Sequence, residues 1–359
     1  MTLERLTIRN YRNYAEAEIF PSGQLNLFIG DNAQGKTNLL ESICFASIGK
    51  SPRTTKDKEL IKWGSGQASV KARVSKKAGY DDILIRLDGA KRIAINNLPI
   101  TKMSELMGVL TTVLFTPDEL KIVKDGPGER RRFIDIALCQ LSRVYFDYLT
   151  KYNRILAQRN KLLKDSPSEE AIDLWDAQLV AVGARIIKTR RGFLARLNGF
   201  AEAIHLDITG NEALSLGYEG IDGDDIDAIS DNFSALLKKS RDRDKHLCVT
   251  SVGPQRDDIM IMASGVDLRA YGSQGQQRSA ALSLKLAEME LLKAQSGEYP
   301  VLLLDDVLSE LDESRQNKLL GRIKPYQTII TGTHLAPEVR KMLGAAKEYR
   351  VCDGTVNEA

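Results

Sequence analysis

One octapeptide of the chain has the residue types and spacing of a phosphate-binding loop, G-x-x-x-x-G-K-[ST]. It occupies residues 30–37 and is followed by an asparagine. In such a loop the glycines let backbone N–H groups surround a triphosphate, the lysine reaches the β- and γ-phosphates, and the threonine hydroxyl ligates Mg²⁺. We predict a nucleoside triphosphate site here, with Lys36 taking part in catalysis and Thr37 binding the metal. The predicted nucleotide-binding residues are Gly30, Asp31, Asn32, Ala33, Gln34, Gly35, Lys36, Thr37 and Asn38.

A second candidate for chemistry is a pair of adjacent carboxylates near the C-terminus. Four apolar residues, 301–304, lead directly into Asp305 and Asp306. This pattern is typical of a buried parallel strand that delivers an acid to its carboxyl end. Alone it is weak, because buried strands often end in aspartate at a turn. Beside a phosphate loop it predicts that Asp305 binds Mg²⁺ opposite Thr37 and that Asp306 polarises the attacking water.

The elements around the loop fit this chemistry. Residues 25–29 form an apolar run that predicts a buried strand, and residues 37–43 favour a helix. Strand, glycine loop and helix is the required order, so a chance glycine turn before a helix is the weaker alternative. Further strands are predicted at residues 6–9, 70–74, 83–87, 93–95, 109–115, 248–252, 258–262 and 328–331.

The two halves of this site lie 269 residues apart, from Lys36 to Asp305. This separation predicts one ATPase core split by an inserted module. Residues 121–164 contain eleven Lys or Arg against four Asp or Glu. Apolar residues from Leu138 to Ile155 recur at 3,4,3,4,3 spacing, which predicts a long helix packed on a partner helix at 169–203. The predicted division is a first ATPase lobe at 1–120, an inserted basic helical arm at 121–245, and completion of the core at 246–359.

The arm has two interpretations of about equal weight: a structural hairpin with a solvated basic face, or a DNA-contacting surface. Under the second, the candidate DNA contacts are Arg130, Arg131, Arg132, Arg190 and Arg191.

Two further segments could reach the phosphates. A polar turn at 271–279 leads into a helical run at 280–293, and Ser273 with the backbone near Gly275 could form a second phosphate cradle at that helix N-terminus. Taken alone, an ordinary capped helix explains it better. His334 follows the strand predicted at 328–331 and could sense the γ-phosphate, or simply cap the strand.

Composition limits the class of protein without fixing it. The chain has 359 residues and a net charge of +3, which argues neither for nor against a nucleic-acid partner. The N-terminus lacks a signal-peptide pattern and no apolar run is long enough to span a membrane. The four cysteines form no C-x-x-C pair, which favours reduced thiols in a cytoplasmic protein.

Taken in order, these motifs resemble the ABC-type ATPase head shared by SMC proteins and the related double-strand-break repair ATPases. Within that group the chain is most similar to the RecF family of bacterial DNA replication and repair proteins. The resemblance implies an α/β fold, namely an ABC-type (P-loop) ATPase head with a mixed β-sheet core and an inserted helical arm. The matching stretches are residues 8–14, 30–38, 53–61, 115–120, 128–135, 253–258, 273–278 and 303–312.

The resemblance also implies a mechanism. Each ATP is sandwiched between the phosphate loop of one subunit and the signature of another, so that Ser273, Gly275 and Gln276 act on a partner's γ-phosphate. Arg12 lies near the ATP phosphates. ATP closes a homodimer around double-stranded or gapped DNA near single-strand junctions, and hydrolysis releases it. With RecO and RecR, such proteins promote loading of RecA.

Other implied properties are a weak, DNA-stimulated ATPase activity and a cytoplasmic, nucleoid-associated location. Asp306 stands where most ABC-type ATPases have glutamate, which suggests slow turnover and suits a switch. The segment matching the glutamine loop is placed at residues 116–118.

Two other functions compete with this one. The first is the ATPase subunit of a membrane transporter, which the basic arm and the arginines at 130–132 argue against. The second is a non-enzymatic scaffold with a vestigial nucleotide site, which the intact Lys36 and Asp305 argue against.

Overall fold

The computed structural model describes residues 1–165, 168–333, 340 and 343–359, except for the side chain of Glu310. The chain divides into two compact units. Unit 1 comprises residues 1–119 and 288–359, and unit 2 comprises residues 120–287. Within the described ranges, no helix has both the length and the apolar character needed to cross a membrane.

Runs of strands and runs of helices follow one another along the chain. In chain order they are β1 (Thr2–Tyr11), β2 (Tyr14–Ile19), β3 (Leu25–Ile29), β4 (Ala68–Lys76), β5 (Gly79–Leu87), β6 (Lys91–Ile95), β7 (Leu98–Pro99), β8 (Thr112–Phe115), β9 (Leu214–Glu219), β10 (Asp258–Ala263), β11 (Val266–Asp267), β12 (Val301–Asp305), β13 (Thr328–Gly332), β14 (Lys347–Cys352) and β15 (Thr355–Glu358). The α-helices are α1 (Lys36–Ile48), α2 (Leu120–Lys124), α3 (Pro127–Leu141), α4 (Arg143–Leu162), α5 (Glu169–Thr209), α6 (Ile226–Leu247), α7 (Leu268–Tyr271), α8 (Gln274–Ser296) and α9 (Glu313–Ile323).

Unit 1 contains two six-stranded sheets. One is antiparallel, in the order β2-β1-β4-β5-β6-β7, and the other has the order β15-β14-β3-β13-β12-β8. In the second sheet β3, β13, β12 and β8 are parallel. Every residue of β12 and β13 is buried, as expected for central parallel strands covered on both faces.

This parallel order explains how two distant segments of the sequence meet. Strand β13 pairs with both β3 and β12, and Asp305 lies opposite Thr331. The loop after β3 and the acid that ends β12 therefore lie at the same edge of the sheet. Helix α1 contacts β8, β12 and β13 beneath that edge.

Unit 2 combines helices with a small antiparallel sheet, β11-β10-β9. Helix α5 has 41 residues and contacts both α4 and α6. Side chains of both neighbouring helices lie close to Gly183 of α5, where an added Cβ would lie 2.6 Å from the Phe233 ring and 3.0 Å from that of Tyr152. A larger residue at this crossing would separate the helices.

A buried ion-pair network joins the same three helices. Arg159 of α4 is fully buried and donates to Asp176 of α5 at 2.5 Å and to Asp244 of α6 at 2.9 Å. Arg241 of α6 donates to Asp176 at 2.8 Å. Buried charges of this kind are tolerated only when each is paired.

The long helix predicted from Leu138 to Ile155 is interrupted. Helix α3 ends at Leu141, and Ser142 is extended, with φ −143° and ψ 110°. The Ser142 hydroxyl accepts from the backbone N–H of Tyr145 and so caps α4. The 3,4 spacing of apolar residues continues across Ser142 because α3 and α4 both place apolar residues against the core.

The strand predicted at 248–252 is wrong. This segment is a loop whose N–H groups are bound by side chains instead of a neighbouring strand. The N–H of Thr250 donates to the side-chain oxygen of Asn160 at 2.8 Å, and the N–H of Ser251 donates to the Asp244 carboxylate at 3.0 Å. Because these N–H groups have side-chain acceptors, the segment does not need a neighbouring strand.

Unit 2 extends to residue 287, beyond the predicted end of the arm at 245. The reason is the antiparallel pairing of β10 with β9, which runs from Asp258–Glu219 to Ala263–Leu214. Helix α8 also begins earlier than predicted, at Gln274. The polar turn at 273–277 therefore belongs to unit 2 and forms the first turn of a helix.

Candidate nucleotide-binding site

The two glycines of the loop are required by the backbone. Gly35 has φ +118°, precedes α1 as its N-cap, and would place a Cβ 2.6 Å from the side chain of Asn13. At Gly30, a Cβ would overlap the carbonyl oxygen of Val351. No side chain in the described ranges caps α1, so its first N–H groups and positive dipole end suit an anion.

Side chains from outside the motif hold this loop in shape. The Asn13 amide donates to the Gln34 carbonyl at 2.9 Å and accepts from Asn38 at 2.9 Å. The Tyr14 hydroxyl donates to the Gly35 carbonyl at 3.0 Å. The sequence pattern does not assign Asn13 and Tyr14 to the site, because only the folded chain brings the β1–β2 turn against the loop.

The β14–β15 hairpin supports the loop from a distant part of the sequence. The N–H of Gly354 donates to the Gln34 carbonyl at 3.1 Å, and the N–H of Asp353 donates to the Gln34 side-chain oxygen at 2.6 Å. The sequence carried no signal for this contact, because it joins residues 319 positions apart.

Lys36 lies within the loop. Its ammonium donates to the carbonyls of Gly30 at 2.6 Å and Asp31 at 2.8 Å. Burial lowers the pKa of the Lys36 ammonium, while Asp306, Asp305 and Asp31 oppose that shift. The positive charge of Lys36 therefore lies inside the loop that is predicted to bind the phosphates.

Thr37 and Asp305 meet although they are 268 residues apart. The Thr37 hydroxyl donates to Asp305 Oδ1 at 3.1 Å, and the Thr331 hydroxyl donates to the same oxygen at 2.7 Å. Hydroxyl and carboxylate oxygens are ligands that Mg²⁺ prefers, usually with few protein ligands and the remaining positions filled by phosphates and water. In the described residues no group of three or more His, Cys, Asp or Glu could hold a metal ion.

Asp306 has an unusual backbone conformation. Its φ is +55°, a region that non-glycine residues seldom occupy. Its N–H donates to the Thr331 carbonyl at 3.2 Å, and its carbonyl accepts from Ser309 at 2.7 Å. Strained conformations of this kind are concentrated at functional sites. His334, predicted to sense the γ-phosphate, lies outside the described residues.

Arg12 is committed to an ion pair. Its guanidinium donates to both carboxylate oxygens of buried Glu41, at 2.8 and 2.7 Å, and to the Glu59 carbonyl at 2.9 Å. The Glu41 hydrogen bond raises the pKa of Arg12, against the effect of burial. Contact between Arg12 and ATP phosphates stays a prediction.

The signature residues form a capped helix start in unit 2. The Ser273 hydroxyl accepts from the N–H of Gln276 at 3.2 Å, and the Gln276 side chain accepts from the N–H of Ser273 at 3.0 Å. This reciprocal pair is a capping box. Gln276 also donates to Glu212 at 3.0 Å, and Ser273 is exposed. Gly275 lies in the first turn of α8, where the helix dipole favours an anion.

Most arginines predicted to contact DNA have structural partners instead. Arg130 is 2% exposed and pairs with Asp258 at 2.6 Å. Arg190 is 3% exposed and pairs with Asp135 at 2.8 Å. Their assignment as DNA contacts is therefore corrected, because a buried paired guanidinium cannot reach a phosphate.

The other three differ in exposure. Arg131 donates to the Asp257 carbonyl at 2.6 Å, and burial lowers its pKa. Arg191 donates to the carbonyls of Gly223 and Ile221. Arg132 is exposed and alone among the five keeps the accessibility that a DNA contact needs.

Comparison with known proteins gives a consistent result. A family model described as "RecF/RecN/SMC N terminal domain" matches residues 2–352. The chain is 46% identical over 363 residues to the DNA replication and repair protein RecF of Agathobacter rectalis, covering 99% of each. A solved structure titled "Structure of the recombination mediator protein RecF-ATP in RecFOR pathway" is 34% identical, with a TM-score of 0.93 over 100% of this chain and 97% of that one. A solved SMC head bound to a ScpA domain is 18% identical, with a TM-score of 0.59. This similarity shows a shared fold.

Proposed function

The chain belongs to the RecF family of DNA replication and repair proteins, and on this premise we propose that it is an ATP-dependent DNA-binding protein of recombinational repair and replication restart. The observation that carries the proposal is the 3.1 Å contact between the Thr37 hydroxyl and Asp305. It joins the phosphate loop to the acid at the end of β12, which is the pairing that a Mg²⁺–ATP site requires.

The nucleotide is hydrolysed slowly, and each of the site's side chains has one task. Lys36 and the α1 N-terminus bind the phosphates, and Thr37 and Asp305 bind Mg²⁺, which when present neutralises charge on the β- and γ-phosphates. The oxygen of a water molecule attacks the γ-phosphorus while Asp306 accepts a proton from that water. The bond from that phosphorus to the bridging oxygen breaks, and ADP and phosphate leave.

ATP acts as the switch between two assembly states. The signature at residues 273–277 of one copy meets the γ-phosphate held by a second copy, so ATP closes a homodimer on DNA. The exposure of Ser273 at the first turn of α8 supports this role, because the positive end of the helix dipole favours an anion there. Hydrolysis removes the bridging phosphate and releases the DNA.

The solved relative named for the RecFOR pathway supports the choice of partners. We assign RecR and RecO as protein partners and RecA loading as the result, on double-stranded and gapped DNA. The family assignment also removes the support for a transporter subunit. A vestigial scaffold remains the alternative that a hydrolysis measurement excludes.

We assign the DNA contacts to exposed basic residues of the arm instead of to the buried arginines. On α4 these include Lys151, Arg154 and Lys161. Contacts of this type bind phosphates without reading sequence, so affinity must fall steeply with salt.

The test is the anisotropy of a labelled 30-base-pair duplex titrated with protein in ATP or ADP, at several salt concentrations. We expect tight binding only in ATP, a steep salt dependence, and loss of binding in Lys36→Ala. The matched control is Lys77→Ala, an exposed lysine elsewhere in unit 1, which keeps wild-type binding. Nucleotide-independent or salt-indifferent binding contradicts the proposal.

A further inference from the structure

One aromatic side chain is exposed to an unusual degree. Trp63 is 97% exposed, although tryptophan is normally among the more buried residues. It stands in the loop between Ile61, which bridges to Tyr11, and strand β4. Gly64 and Gly66 follow, and a Cβ added to either would meet open space. The indole ring is therefore presented to solvent.

A cavity of about 450 Å³ lies beside this ring. It is lined by the loop at residues 57–66 and by the β5–β6 turn at residues 87–91. The volume falls in the range of small-ligand sites, about 300 to 1,000 Å³. Its lining includes the lysines Lys58, Lys62 and Lys91, so the cavity combines an aromatic face with cationic groups.

The lining also includes the carboxylates of Asp57 and Asp88, and Asp88 lies 3.5 Å from Arg92. The segment that leads into the cavity is basic. Residues 50–62 contain five basic and two acidic side chains. Of the acids, Asp57 pairs with Lys91 at 2.9 Å, and Glu59 lies 3.8 Å from Lys56 and accepts from Thr54 at 2.6 Å. Both carboxylates are therefore already engaged.

Two lysines of this segment have no ion-pair partner among the described residues. Lys50 and Lys58 are exposed and have no carboxylate within 4 Å among the described residues. Lys62 donates to the Asn13 carbonyl at 2.6 Å, a neutral partner that leaves its charge uncompensated. A ligand that fits here carries negative charge and offers a flat ring to Trp63.

We propose that Trp63 and this cavity bind one unpaired nucleotide of a DNA strand, with its base stacked on the indole and its phosphate bound by Lys58 and Lys62. The inference rests on the proposed DNA-binding function and deepens it by assigning a site to the unpaired strand of gapped DNA. An unpaired base is required because bases inside a duplex stack on one another and do not offer a face. Aromatic platforms beside cationic groups are the usual means of holding single strands. A protein partner is the less favoured occupant, because lysines line the cavity.

The first experiment compares two DNAs in ATP: a 30-base-pair duplex and the same duplex with a five-nucleotide gap. We expect Trp63→Ala to bind the gapped DNA about ten-fold more weakly and the intact duplex as wild type does. Trp63→Phe keeps a ring and restores most of the affinity. The control is Tyr80→Ala, another exposed aromatic residue of unit 1, which leaves both affinities unchanged.

The second experiment uses fluorescence to separate a DNA strand from a free nucleotide as the ligand. The chain has two tryptophans, so Trp175→Phe leaves Trp63 as the sole reporter. We expect quenching on addition of a dT₁₂ oligonucleotide and little quenching by dTMP at the same nucleotide concentration. Lys58→Ala should lower the slope of log affinity against log salt for dT₁₂ by about 0.7, the loss of one single-strand phosphate contact.

The outcomes separate this inference from the proposed function. If wild type binds neither DNA in ATP, the proposed function fails first. If wild type binds both DNAs and Trp63→Ala binds gapped DNA as well as wild type, this inference alone is overturned. Unchanged DNA binding with loss of binding to purified RecR would overturn it in favour of a protein-docking role. Equal quenching by dTMP would overturn the strand assignment.

Discussion

At the scale of single residues, hydrogen bonds within the protein position the side chains of the candidate site. Lys36 is held by two loop carbonyls, and Thr37 and Thr331 both donate to Asp305. Asp306, to which we assign water activation, has a φ of +55°, and Arg12 and Ala33 of the same site also have positive φ values.

Asp306→Asn should separate binding from hydrolysis. The amide cannot accept the proton from water, so turnover should fall by a factor of about 10² to 10⁴, while ATP binding stays within a few-fold of wild type. The ATP-bound complex with DNA should then outlive that of wild type. The measurements are phosphate release, nucleotide titration and DNA off-rate, with Asp147→Asn on the exposed surface of α4 as control. Equal hydrolysis by Asp306→Asn would remove this residue from the mechanism.

Asp257 should give unit 2 a defined dependence on pH. Burial raises the pKa of the Asp257 carboxyl to about 6, although Tyr218 donates to it and Arg190 and Arg131 lie near. Between about pH 4 and 6 the unfolded chain loses this proton while the folded chain keeps it. Stability therefore falls as pH rises through this window, by up to about 3 kcal/mol.

The check on Asp257 is chemical denaturation at pH 4.5 and 7, compared with Asp257→Asn. The asparagine variant lacks the titration, so the free energy of unfolding of wild type relative to the variant should decrease as pH rises. A difference that is constant with pH, or that grows, would show that Asp257 is ionised throughout.

At the scale of elements, the local pattern predicted the strands and helix that carry the phosphate loop. The apolar run at 25–29 is β3, and residues 301–305 are β12. Both strands are buried in a parallel sheet, where most side chains are apolar. A short apolar run is therefore enough to predict each strand. The break at Ser142 and the loop at 248–252 depended on side-chain hydrogen bonds that a periodic pattern does not register.

The arm is an element whose stability depends on buried charge. Arg159→Ala removes the fully buried partner of Asp176 and Asp244, leaving two carboxylates without it. We expect a loss of about 3 to 5 kcal/mol in the free energy of unfolding. The matched control is Arg154→Ala, an exposed arginine of the same helix, which should change stability by less than about 0.5 kcal/mol. Denaturant titration followed by circular dichroism measures both, and equal effects would contradict the role of the network.

At the scale of the whole molecule, the sequence predicted the split core but not its second boundary. Lys36 and Asp305 were assigned to one site from their residue types, and the structure brings Thr37 to Asp305. The end of unit 2 at residue 287 depends on β9 pairing with β10, a contact between segments about forty residues apart. The buried pairs of Arg130 and Arg190 were missed for the same reason, since their partners lie 128 and 55 residues away.

The central claim is that ATP works between two copies of the chain. The most direct test is ATP hydrolysis as a function of protein concentration, with and without duplex DNA, for wild type and Ser273→Arg. The account predicts activity that rises faster than linearly with protein, increases with DNA, and disappears in Ser273→Arg, whose bulk and fixed charge replace the hydroxyl that faces a partner's phosphate. Activity that is linear in protein, indifferent to DNA and unchanged by the substitution would show that the site works within one copy, and the dimer switch would have to be abandoned.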